Sequence, residues 1–118
     1  MFIYYNPNPL GLNVGDCVVR MLTIVLDKSW DDAFDILADE SKKHANMPSA
    51  NIVWFDILKD LGYKQNYLEY EMTVEEFCNR FTEGLFIVGT GTHVLTVVDG
   101  NFYDSWNSKN EKIIFFFS

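Results

Sequence analysis

The chain predicts an α+β domain. Helical periodicity with capping signals recurs as far as Phe81, and from Leu85 onward it gives way to short Val-, Thr- and Phe-rich runs separated by glycine turns. The expected architecture is a set of N-terminal helices, including a buried central one, packed on a C-terminal antiparallel sheet in a single domain covering residues 1–118. With 48% hydrophobic and 16% aromatic residues, a chain of this length can bury one core without a metal or disulfide staple.

Met1 to Tyr5 is a short aromatic strand, and Asn6-Pro7-Asn8-Pro9-Leu10-Gly11 is held as an extended, turning loop by its two prolines. Asp16 is placed to cap a helix running to about Leu26, whose residues are apolar apart from a stripe of Arg20, Thr23 and Asp27. Such a helix belongs in the interior. Ser29 and Asp32 open a second helix, with Trp30, Ala33, Phe34 and Leu37 on its apolar side and acidic and basic residues on the other. His44 falls near its end, where a cation suits the helix dipole. Ser49 is the expected cap of a third helix carrying Trp54, Ile57, Leu58 and Leu61, stopped by Gly62. A strand follows between Tyr63 and Tyr70. Thr73 and Glu76 then form a capping box for a short helix in which Cys78 shares the apolar stripe with Val74, Phe77 and Phe81, the position of a structural thiol.

The remaining strands are Leu85–Val88, a hairpin, and Ile113–Phe117. The hairpin is the most informative stretch. Asp99-Gly100 supplies the positive φ angles of a two-residue type I′ turn, which pairs Val98 with Asn101, Leu95 with Asp104 and His93 with Trp106. Alternation then puts His93, Leu95, Val97, Phe102, Asp104 and Trp106 on one face. His93 and Asp104 become diagonal neighbours, about 7–8 Å apart at the backbone and within side-chain reach. A three-residue turn would reverse the parity and separate them.

Nine basic residues against 17 acidic ones give a net charge of −8, with the basic residues scattered. Binding to a nucleic-acid backbone is therefore not expected, while a basic protein surface or cationic peptide would be attracted. There is no signal-peptide pattern and no apolar run long enough to span a bilayer, so a soluble, cytoplasmic protein without membrane partners is expected. Neither Cys-x-x-Cys nor His-x-x-x-His spacing occurs, so no metal site and no cofactor are expected.

Cys17 is the partner the hairpin needs. A thiol in the first turn of a helix meets the positive end of the helix dipole and unsatisfied N–H groups, both of which favour the thiolate. With His93 as base and Asp104 orienting the imidazole, it has the makings of a cysteine nucleophile whose own N–H donates to the developing oxyanion. Arg20, four residues after Asp16, reads first as the partner of a helix pair worth a few tenths of a kcal/mol. Its sharper reading is electrostatic support of Cys17 alongside Asp16.

In order and local sequence these residues resemble the papain-like cysteine peptidase superfamily. Gly15-Asp16-Cys17 matches the nucleophile segment, Thr92-His93-Val94-Leu95 the histidine strand, and Asp104-Ser105-Trp106 papain's Asn-Ser-Trp with Asp in place of Asn. The compact spacing and the Asp look more like the bacterial peptidase C39-like branch. Short uncharacterised proteins of phages and Gram-positive bacteria share a similar opening from an Asn-Pro pair to Gly15-Asp16-Cys17. The resemblance implies a papain-like fold and a thiol hydrolase acting on a peptide or isopeptide bond of a peptide or protein substrate, with Trp106 shielding the His93–Asp104 pair. It also implies an oxyanion-hole Gln shortly before the cysteine, which this chain lacks. Asn8 or Asn13 would have to supply that amide, and the alternative is a catalytically weak or inactive papain-like protein, such as a phage factor that binds a host protein.

Overall fold

The computed structural model describes all residues from Met1 to Ser118. The fold is α+β, with four helices and a six-stranded mixed sheet. The chain divides into two compact units, one formed by Pro7–Lys64 and the other by Met1–Asn6 with Gln65–Ser118. No helix is long and apolar enough to cross a membrane.

The Pro7–Lys64 unit holds three helices: α1 (Cys17–Val25), α2 (Trp30–His44) and α3 (Asn51–Asp60). Met21, Leu22, Ala33, Leu37, Val53, Trp54 and Leu58 are buried in it. A large apolar side chain of this kind contributes about 1.5–3 kcal/mol on full burial. Ser29 Oγ accepts from the Asp32 N–H at 3.1 Å, the cap expected at the start of α2. α3 ends in a Schellman motif: Gly62, at φ +95°, donates to the Lys59 carbonyl and Tyr63 to that of Leu58.

Three expectations for this unit are corrected. Asp16 precedes α1 but does not cap it, because both carboxylate oxygens are turned to other donors. Arg20 and Thr23 of the polar stripe are buried, as suits an interior helix; Arg20 is neutralised by Asp16, and the Thr23 hydroxyl donates to the Arg20 carbonyl at 2.6 Å. The residue before α3 is Ala50 rather than Ser49, with no side-chain cap. Phe34, placed on the apolar stripe of α2, is 42% exposed and stacks on Trp30, ring centroids 5.2 Å apart.

The second unit is built on the sheet, with strands β1 (Phe2–Tyr4), β2 (Gln65–Tyr67), β3 (Leu85–Gly89), β4 (Val94–Val98), β5 (Asn101–Asp104) and β6 (Phe115–Phe117) in the order β1-β5-β4-β3-β6-β2. The expected sheet was antiparallel. Four of the pairings are, but β1 runs parallel to β5, with Tyr4 beside Asp104. An edge strand contributed from the far end of the chain has no local turn to dictate its direction. Helix α4 (Val74–Arg80) begins with the expected capping box, both Thr73 and Glu76 bonding back to backbone N–H groups. Its Val74, Phe77 and Cys78 are buried with Val88, Leu95, Val97, Phe102 and Ile113, and Phe81, Phe86 and Phe116 ring Phe77. On the opposite face of the sheet Gly89 crosses Phe115 so closely that a Cβ would come within 2.3 Å of the Phe115 ring, which leaves glycine as the residue that fits.

The hairpin forms in the expected register. Asp99 (φ +50°) and Gly100 (φ +78°) make the two-residue turn, and Val98 pairs with Asn101, Val97 with Phe102 and Thr96 with Tyr103.

Candidate functional site

His93 lies one residue before β4 and Asp104 closes β5, so the register places them diagonally on the face that carries Leu95, Val97 and Phe102. Their side chains meet: Nε2 of His93 is 2.6 Å from Oδ2 of Asp104. The short polar loop after β5 completes the surroundings. The Ser105 N–H donates to Oδ1 of Asp104 at 2.8 Å, and the Ser108 hydroxyl donates to Oδ2 at 2.6 Å. Asp104 is 0% exposed and Ser108 is 1% exposed. A carboxylate taken from water is tolerated only where donors replace its hydration, and here three converge on it.

Backbone bonds fix the same residue from the other side. The Tyr5 N–H donates to the Asp104 carbonyl at 2.8 Å, extending the parallel β1–β5 ladder to the end of β5. Trp106 stands with its ring centroid 5.3 Å from that of His93, tilted by 44°, and remains 46% exposed. The indole thereby lies against the imidazole while staying partly open to solvent. Asp104 engages Nε2, so the neutral ring carries its hydrogen there and presents Nδ1 as the basic nitrogen.

In the helical unit Cys17 is the first residue of α1, half-buried, and not disulfide-bonded. Asp16, immediately before it, accepts from Arg20 Nη1 at 2.7 Å through Oδ1 and from the Trp30 indole N–H at 2.9 Å through Oδ2. The Asp16–Arg20 pair is buried, both side chains being 5% exposed. This changes its weight: it is a desolvated, hydrogen-bonded pair and not the surface helix pair expected, and its loss would leave a buried charge. Trp30, held by Asp16, forms with Val14, Val18, Phe34 and Leu37 the walls of an apolar cavity of about 280 Å³ that Cys17 also lines.

Of the two asparagines considered for an oxyanion hole, Asn8 uses Oδ1 to accept from the N–H groups of Leu10 and Leu12, at 2.9 and 3.2 Å, and so organises its own loop. Asn13 is exposed. Cys78 is buried in the sheet unit, and burial raises its thiol pKa above the ordinary range. His44, at the end of α2, approaches Glu40 and Asp56, a group of side chains with metal-ligand chemistry.

The structure thus brings His93, Asp104 and Trp106 together, and separately joins Asp16 and Arg20 beside Cys17. Sequence reasoning missed Ser108 and the Trp30–Asp16 bond. The cluster of small polar residues after Asp104 was the available signal for Ser108; nothing in the sequence linked Trp30 to Asp16. Comparison with family models, with curated proteins and with solved structures finds no match for this chain.

Proposed function

We propose that the chain is a papain-like thiol hydrolase acting on a peptide or isopeptide bond, with Cys17 as nucleophile, His93 as general base and then acid, and Asp104 as the orienting group. The observation that supports this reading best is the His93–Asp104 pair: a histidine with one ring nitrogen bonded to a fully buried, triply hydrogen-bonded carboxylate and with Trp106 lying against its ring.

In the proposed reaction the Cys17 thiolate adds to the substrate carbonyl, giving a tetrahedral oxyanion that takes a hydrogen bond from the Cys17 N–H, with Asn13 or Asn8 as the candidate second donor. Collapse breaks the C–N bond, the amine leaves with a proton from Nδ1 of His93, and a thioester remains. Water then adds to the thioester as His93 takes its proton, and the acid product departs with the thiol restored. Asp104 keeps the ring in its Nε2–H form and offsets the charge the ring gains in each half-reaction. The cavity walled by Trp30 and Phe34 suits an apolar side chain of the substrate close to the scissile bond.

The test is alkylation by iodoacetamide and an epoxysuccinyl probe at neutral pH, followed by peptide mapping. Cys17 should label far faster than Cys78, Cys17→Ala should abolish the fast labelling, and His93→Ala should slow it. Equal reactivity of Cys17 and Cys78 defeats the proposal.

A second reading, a papain-like binding protein without strong activity, draws on the lack of a glutamine upstream of Cys17 and on the net charge of −8. It predicts that a basic bacterial protein partner is retained equally by wild type and Cys17→Ala, while peptide libraries are left uncut.

A further inference from the structure

Glu40 and His44 lie one turn apart near the end of α2, so both side chains leave the same face of the helix. Asp56 comes from α3, which packs against α2 in the same unit. His44 Nε2 is 3.0 Å from Asp56 Oδ2 and 3.3 Å from Glu40 Oε1, and the three donor atoms lie within 4.8 Å of one another.

Two carboxylate oxygens from different helices therefore converge on one ring nitrogen. A single Nε2–H can point well at only one of them. A cation among the three would serve all of them. Ligands held about 2.0–2.2 Å from a divalent ion stand about 3–3.5 Å from each other in tetrahedral or octahedral arrangements, and both nitrogen–oxygen separations fall in that range. The second oxygen of Glu40 faces Lys43 Nζ at 3.6 Å, which keeps Oε1 turned toward His44. The side chains are 15% exposed at Glu40, 22% at His44 and 37% at Asp56, so water can reach the open side and complete the coordination.

We propose that Glu40, His44 and Asp56 form a binding site for a divalent transition cation, Zn²⁺ foremost, that ties the end of α2 to α3. Imidazole with two carboxylates is a donor set for Zn²⁺, Co²⁺ or Ni²⁺, whereas Ca²⁺ and Mg²⁺ favour all-oxygen sites. The expectation from sequence looked for cysteine or histidine pairs at fixed spacing, whereas this set is assembled from one histidine and carboxylates on two helices. The site is independent of the proposed hydrolase chemistry.

The test is titration of the full-length protein with Zn²⁺ by calorimetry and with Co²⁺ by visible absorption. One ion per chain should bind, with the weak ligand-field bands of nitrogen and oxygen donors and no thiolate charge-transfer band. Affinity should fall at acid pH, because protons compete with the ion for its ligands. Asp56→Asn and Glu40→Gln, which preserve shape, and His44→Ala should each weaken binding by at least ~100-fold while circular dichroism without metal is unchanged. Binding that survives all three substitutions, a thiolate band on the bound Co²⁺, or no saturable binding by the wild-type protein overturns the assignment.

Discussion

Replacing Asp104 by asparagine probes how the candidate base is held. The Ser105 N–H can only donate, and it points at Oδ1 from 2.8 Å. The new amide must therefore put its oxygen there and turn its NH₂ toward His93 and Ser108, since the reverse orientation would set two donors against each other at a cost of about 1–3 kcal/mol. Ser108 can respond by rotating its hydroxyl to accept. His93 can respond only by accepting through Nε2, which moves its hydrogen to Nδ1. Exchanging a charged acceptor for a neutral one weakens each of the three bonds by about 1 kcal/mol, and removing a buried charge returns part of that through its desolvation. A net loss of about 1–2 kcal/mol is expected, read as a lower urea midpoint at constant slope. Long-range ¹⁵N–¹H correlation should show His93 as Nε2–H in the wild type and Nδ1–H in the variant, with the signals assigned by comparison with a His44→Gln protein. If the chain is a hydrolase, turnover should fall roughly 10⁴-fold, the scale seen when the orienting aspartate of a triad becomes an amide and the tautomer is wrong. Persistence of the Nε2–H form in Asp104→Asn would refute the reasoning.

Arg20→Met should destabilise the protein by roughly 3–5 kcal/mol, because Asp16 would keep its buried charge with the guanidinium gone; chemical denaturation measures this, and a change below about 1 kcal/mol would return the pair to the surface class. Thr96 is 1% exposed and its hydroxyl has no hydrogen-bond partner, so the isosteric Thr96→Val should raise stability by about 1 kcal/mol in calorimetry. Burial raises the Cys78 pKa, so at neutral pH this residue should resist alkylation in the folded protein and react readily in urea. The raised pKa also makes Cys78 stabilising below the ordinary thiol range, a contribution that declines as pH rises through the folded value; Cys78→Ala should flatten the alkaline limb of the pH–stability curve.

The elements legible in sequence were those whose causes are local. Asp99-Gly100 dictates a turn type through two φ angles, and the turn dictates the register that brings His93 to Asp104. Thr73 and Glu76 define a helix start within one turn. Two of the misreadings involved a competitor distant in the chain. Asp16 looked like a cap because Trp30, which takes one of its oxygens, lies beyond the end of the helix. Arg20 was readable as the partner of Asp16, but the burial of the pair, which normally only a counter-charge permits, was not. The partner of β1 is set by a strand almost a whole chain length away, and no turn joins the two. Of the candidate site, the hairpin half was readable, whereas the donors that complete the Asp104 environment depend on a loop conformation that residue types alone do not specify.

The parallel pairing of β1 with β5 bears on the order of events during synthesis. The Pro7–Lys64 unit is continuous and leaves the ribosome whole, so it can fold as soon as it emerges. The sheet unit cannot, because its first strand is made before that insertion and its partner about a hundred residues later, a separation whose loop-closure entropy makes pairing slow. Meanwhile β3 presents a raw edge where β6 will sit, and β1 awaits β5. Asp104 thus takes one backbone partner from a strand made long before it, and the candidate base pair is completed only after the helical unit that carries the cysteine has been made.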